Sequence, residues 1–173
     1  MEKNNKTQKL AVCAVLAALC CVATFIIRIP SVYGYVNVGD VVVLICGWQL
    51  GKKYGFAAAG IGSALADLLA GYAVYIPATF VIKGCMAFVA CILYTVIKKA
   101  HINRVLSRVI SAIIAEVCMV FGYFIFESAV LGYGMGAAAS IGTNALQGVV
   151  AIAPAVIIAE ILLKTGVRGD FNK

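Results

Sequence analysis

Between Lys9 and Arg28 stand eighteen residues without a charge, LAVCAVLAALCCVATFII, and the chain repeats such apolar runs to its end. A run of that length matches a membrane crossing, because the hydrocarbon core of about 30 Å takes roughly 20 helical residues at 1.5 Å each. In lipid every backbone N–H and C=O needs a partner within the protein, so only helices and closed barrels cross. Runs this long select helices. Composition agrees: 64% of the 173 residues are hydrophobic and 12% are charged, against roughly 45–50% and about 25% in soluble domains. The first run lacks a small-residue cleavage site and leads into more apolar sequence, so it reads as a retained helix rather than a signal peptide.

The pattern predicts an all-α integral membrane fold, one membrane domain over residues 1–173 with six transmembrane helices. Their expected bounds are about 9–28, 38–50, 54–70, 77–97, 105–128 and 140–164. The second, with thirteen residues, is too short to span lipid alone and needs one end on a watery bowl or on protein. If the crossings alternate from a cytoplasmic N-terminus, twelve of the fourteen basic residues fall on the inner side. These are Lys3, Lys6, Lys9, Lys52, Lys53, Lys98, Lys99, Arg104, Arg108, Lys164, Arg168 and Lys173. That asymmetry is a positive-inside signal and places both termini in the cytoplasm. The formal charge of +7 lies in gaps between apolar runs, as topology requires, and not in a stripe suited to nucleic acid. Seven cysteines, all within apolar runs and none in C-x-x-C, read as small buried hydrophobes, and the single His101 has no neighbouring ligands, so no metal is expected.

Polar residues inside such runs are costly, by about 2.5–3.5 kcal/mol each on insertion scales, and usually face a partner or a cavity. Asp40, Asp67, Lys83, Glu127, Asn144 and Gln147 all fall at one depth, in the outer half of the expected helices. Their shared level suggests one polar cavity. Bland readings stand beside this one. Asp40 suits a helix N-terminus, Asp67 and Lys83 suit an interhelical ion pair, and Asn144 with Gln147 suits helix–helix glue. Glu116 and Glu160 lie off that level and would contact a basic side chain or another subunit. Tyrosines gather at the same face in three glycine-bearing loops, YGY (33–35), GYAVY (71–75) and LGYGMG (131–136), which include Tyr35 and Tyr75. Such loops could close over a flat ligand, although tyrosine belts are also ordinary at membrane interfaces. Ala14 and Ala18, one turn apart on an otherwise bulky helix, suggest an external docking stripe.

The stretch YVNVGDVVVLICGWQLGKKYGFAAAGIGSALADLLAGYAVYIPATFVIKG resembles the core of substrate-binding S components of energy-coupling factor transporters. The branch it resembles is the riboflavin type, which includes proteins proposed for pyridoxine and hydroxymethylpyrimidine, and the likeness covers about residues 10–165. The resemblance implies a six-helix subunit that binds a small water-soluble vitamin or precursor with high affinity. It implies docking through Ala14 and Ala18 onto a membrane coupling subunit that carries two cytoplasmic ATPases, within the cell membrane. It also implies a lid from Asn37, Gly39 and Asp40, and a pocket lined by Asn144 and Gln147. Lys52 departs from the proline that relatives often carry there. The chain has no P-loop, so it is not expected to be an enzyme and ATP hydrolysis would belong to the partners. No cofactor is implied. The chief rival is a self-sufficient proton-coupled carrier, with Asp67, Lys83, Glu116 and Glu127 as a relay.

Overall fold

The computed structural model describes residues 2–31, 33 and 35–165, with the side chains of residues 2–5 left aside. Arg168 and Lys173 of the basic set, and Gly34 of the first tyrosine loop, lie outside the described residues. Five α-helices follow in order: α1 Glu2–Ile26, α2 Gly39–Ala70, α3 Ile76–Lys99, α4 Arg104–Ile125 and α5 Ala139–Lys164. A short antiparallel hairpin, β1 Arg28–Pro30 with β2 Tyr35–Asn37, joins α1 to α2 and pairs Ile29 with Val36. Among the described residues, four stretches are long and apolar enough to cross a membrane: Lys6–Ile26, Ala73–Lys99, Arg104–Val130 and Gly134–Lys164.

The expected count of six helices is therefore wrong. The segments 38–50 and 54–70 join in one element, α2, kinked within GKKYG at a single non-helical residue, Gly51 (φ 79°, ψ −175°). Only glycine adopts that backbone conformation without strain. The reversal it makes is tight, for a Cβ placed on Gly55 would lie 2.8 Å from the carbonyl oxygen of Cys46. The two arms of α2 thus lie against each other. The turn carries Lys52 and Lys53, which is why hydropathy divides the element there.

Small residues set the packing distances. A Cβ on Gly62 would come within 2.4 Å of the Ala17 carbonyl oxygen of α1, and one on Gly47 within 2.3 Å of the Ala87 carbonyl oxygen of α3. Backbones in contact at that range replace the hydrophobic drive that lipid does not supply. The core between them holds Cys20, Val43, Leu44, Cys46, Met86 and Met119, all fully buried. Large apolar side chains such as Val15, Leu69, Phe121, Val149 and Ile161 point outward instead, as expected of side chains that face acyl chains. Local signals fix the ends. Asn103 accepts a hydrogen bond from the Val105 amide (2.8 Å) to cap α4, Pro77 opens α3, and Gly71 closes α2 in the left-handed region (φ 82°).

Candidate functional site

The reversal at Gly51 brings both ends of α2 to one end of the bundle, where they meet the hairpin, the start of α3, the end of α4 and the start of α5. A hollow opens there among Thr24, Ser31, Tyr35, Asn37, Ser63, Asp67, Tyr72, Tyr75, Thr79, Lys83, Tyr123, Glu127, Ser140, Asn144 and Gln147. Its cavity volume is about 50 Å³, and the space between its walls, open mouth included, is about 530 Å³.

Below it runs a connected polar network. Lys83 pairs with Asp40 Oδ1, and both side chains are essentially buried. Gln147 donates from Nε2 to Asp40 Oδ2 at 2.5 Å. The Gln147 Oε1 accepts from the Asn37 backbone amide at 2.8 Å and from Asn37 Nδ2 at 3.3 Å, while Asn37 Oδ1 accepts from the Gly39 amide at 2.8 Å. Hairpin, α2, α3 and α5 are joined through four side chains. This corrects the expected Asp67–Lys83 pair: the lysine goes to Asp40. Asp67 instead accepts from the Tyr35 hydroxyl (2.5 Å). Burial pushes the Tyr35 hydroxyl above its ordinary titration range, with the Asp67 carboxylate acting in the same direction, so it stays a donor. Glu127 accepts from Ser140 and, at 3.3 Å, from Tyr75. Thr79 meets Tyr123 at 3.1 Å and neighbours Asp67.

Of the residues singled out from sequence, Tyr35, Asn37, Asp67, Tyr75, Lys83, Glu127, Asn144 and Gln147 line the hollow. Gly39 and Asp40 do not. Asp40 is fully buried behind Lys83, and Gly39 packs so closely on Thr24 that a Cβ there would lie 1.9 Å from its hydroxyl oxygen. Glu160 pairs with Arg108 at the other end, while Glu116 is buried with neither carboxylate oxygen bonded. Several lining residues were missed, yet a signal existed. Ser63, Thr79, Tyr123 and Ser140 each stand four residues before Asp67, Lys83, Glu127 and Asn144, one helical turn deeper or shallower on the same face. A hydroxyl paired at that spacing with each polar residue marks the walls of a polar pocket.

Above the hollow, Tyr33 stacks on Tyr133 with ring centroids 4.6 Å apart, tying the hairpin tip to the α4–α5 connection. Tyr35, Tyr72 and Tyr75 form a chain of tilted and edge-on rings at 5.1 and 6.3 Å. On the outside of α1, Ala14 and Ala18 are exposed beside Val15 and Leu19.

A family model described as the ECF-type riboflavin transporter, S component, matches residues 4–166. The thiamine precursor transporter HmpT of Lactococcus lactis is 27% identical over 98% of this chain and 96% of its own length. An uncharacterised protein from Pyrococcus woesei is 42% identical over 65 residues, which is 36% of this chain and 43% of that protein. A solved structure of the S component of a bacterial ECF transporter superposes with a TM-score of 0.75 at 22% identity, covering 94% of this chain and 99% of that one, and so shares the fold.

Proposed function

Since the chain belongs to the family of ECF-type riboflavin transporter S components, multi-pass proteins of the cell membrane, we propose that its hollow is the binding site for one small water-soluble vitamin or vitamin precursor. The observation that carries this reading is a ring of hydroxyl, amide and carboxyl groups, contributed by all five helices and the hairpin, enclosed within an apolar bundle. Tyr35, Asn37, Asp67, Tyr75, Lys83, Glu127, Asn144 and Gln147 contact the ligand. Gly39 and Asp40 hold the network under it. A flat heterocycle suits the tyrosine faces and edges, and HmpT, whose name gives a thiamine precursor as its cargo, supports a small ring over a large one.

The lysines Lys52, Lys53, Lys98 and Lys99 sit at the opposite end of the bundle, the end that the positive-inside rule gives to the cytoplasm. The ligand then enters from outside. The exposed Ala14–Ala18 turn docks on a membrane coupling subunit with two cytoplasmic ATPases, which supply the energy for import. Mass spectrometry of the protein purified from vitamin-rich cells tests the binding reading, with one stoichiometric vitamin expected and none refuting it. Uptake should require coexpressed coupling and ATPase subunits. The buried, unbonded Glu116 favours a second reading, a proton-coupled carrier; uptake by the chain alone, abolished by an uncoupler, would establish that one instead.

A further inference from the structure

Between α4 and α5 an apolar groove of about 530 Å³ opens on the side of the bundle, walled by Val117, Phe121 and Phe124 of one helix and Ile141, Ala145 and Val149 of the other. Among the described residues, Glu116 is its one polar lining side chain. Glu116 is only 5% exposed, and neither of its carboxylate oxygens has a hydrogen-bond partner. From this we infer that the groove is a second docking face, which seats a transmembrane helix of a partner protein carrying a hydrogen-bond donor for Glu116. α1 packs chiefly on α2, and α4 on α3 and α5, so this face is separate from the Ala14–Ala18 turn.

The chain's own charges do not meet this carboxyl. Asp40 on α2 and Lys83 on α3 are the charged groups that act on it, and the lysine is committed to Asp40. On α5, Gly148 makes room for it, since a Cβ there would lie 2.9 Å from Oε2. A buried acceptor left unmet is costly, and ionisable side chains inside a membrane mark function. Depth selects the occupant. Glu116 stands twelve residues, about 18 Å, from Arg104 and fourteen, about 21 Å, from Val130, the ends of its apolar stretch. A lipid carries its donors at the headgroup, outside a hydrocarbon core of about 30 Å, so acyl chains fill the groove but leave the carboxyl unmet. A second copy would bring another carboxyl to the same depth. A helix with an amide, hydroxyl or ammonium side chain near its midpoint both fills the groove and supplies the donor, and such polar contacts hold helices together in lipid. Glu116 already lines the groove, and a change of rotamer turns its carboxyl outward.

Energy transfer in phosphatidylcholine vesicles tests this, between the full-length chain with a dye on a C-terminal tag and labelled synthetic transmembrane helices. Two leucine-rich helices are compared, one with asparagine at its midpoint and one with leucine. The asparagine helix should bind roughly 5- to 30-fold more tightly. Glu116→Leu should erase that preference, while Glu116→Gln, whose amide still accepts and donates, should keep part of it. Val149→Trp, which fills the groove from α5 and leaves Glu116 in place, should weaken both helices. Equal binding of the two helices, a preference that survives Glu116→Leu, or binding unchanged by Val149→Trp overturns the inference. Failure of both helices to bind, which leaves the groove to acyl chains, overturns it as well, as does transfer between two copies of the chain that the asparagine helix does not displace.

Discussion

Replacing Lys83 with methionine isolates the ion pair on which the polar network hangs. Methionine keeps the length of the lysine stem and removes its charge. Asp40, fully buried, would retain only the Gln147 amide as a donor. Removing one partner of a buried pair costs about 3–5 kcal/mol because the other charge stays desolvated. At about 2–4 °C per kcal/mol for a chain of this size, Lys83→Met should lower the melting midpoint by roughly 6–20 °C. The double variant Asp40→Asn with Lys83→Met removes both charges while an asparagine oxygen still accepts from Gln147. Replacing a whole buried pair is often neutral or stabilising, so the double variant should melt close to the parent. A thiol-reactive dye in one detergent reads the transition, since Cys20, Cys46 and Cys91 are buried until the bundle opens. A double variant as unstable as Lys83→Met alone would refute the reasoning, because it would place the loss in the lysine's packing rather than in an abandoned carboxylate.

Three further outcomes follow from the packing. Ser111→Ala leaves the indole N–H of Trp48 without its acceptor (3.1 Å); a loss of about 1–3 kcal/mol is expected, with an emission shift readable because Trp48 is the sole tryptophan. Glu116→Leu removes a buried carboxyl with two unbonded oxygens and should raise the melting midpoint, by roughly 2–12 °C for about 1–3 kcal/mol; a fall would mean that the carboxyl has a partner. Gly62→Leu drives a side chain into the Ala17 carbonyl and should destabilise by about 1–3 kcal/mol, seen as lower yield of folded protein from detergent extracts.

Hydropathy made the membrane helices legible because lipid leaves a long apolar run few alternatives. α3 and α5 begin and end within about two residues of the expected bounds, helped by Pro77 at the start of α3 and the lysines at the end of both. The hairpin was not legible. Ile27 and Arg28 look like the last residues of the first helix, but α1 stops at Ile26 and Arg28 pairs with Asn37 across the strand ladder. Shared depth drew attention to Asp40 and Lys83 but not to their pairing, since depth along a helix says nothing about azimuth. Lys83 sits on the side of α3 that faces the first arm of α2, where Gly47 touches Ala87 one turn further on. The second arm, which carries Asp67, meets α3 at Gly60 and Phe80. Which arm a side chain faces is set by the reversal at Gly51, and that reversal is written in one residue.

The dependence of the site on Gly51 yields the sharpest separation of binding from stability. Asp40 and Asp67 are 27 residues apart in one helical element, which if straight would hold them about 40 Å apart. They serve the same hollow only because the chain turns back between them. Gly51→Ala puts a Cβ on a backbone at φ 79° and ψ −175°, a strain of roughly 1–3 kcal/mol. The turn lies at the far end of the bundle from the hollow, so the substitution touches no lining residue. If the arms are held mainly by their contacts with α1 and α3, the strain is absorbed, the midpoint falls by a few degrees and affinity is unchanged. If instead the turn itself sets the angle between the arms, Asp40 and Asp67 shift together and affinity falls more than the midpoint does. The close contacts of both arms, Gly62 on Ala17 and Gly47 on Ala87, argue for the first outcome. A variant that melts near the parent yet loses ligand in calorimetry would refute it.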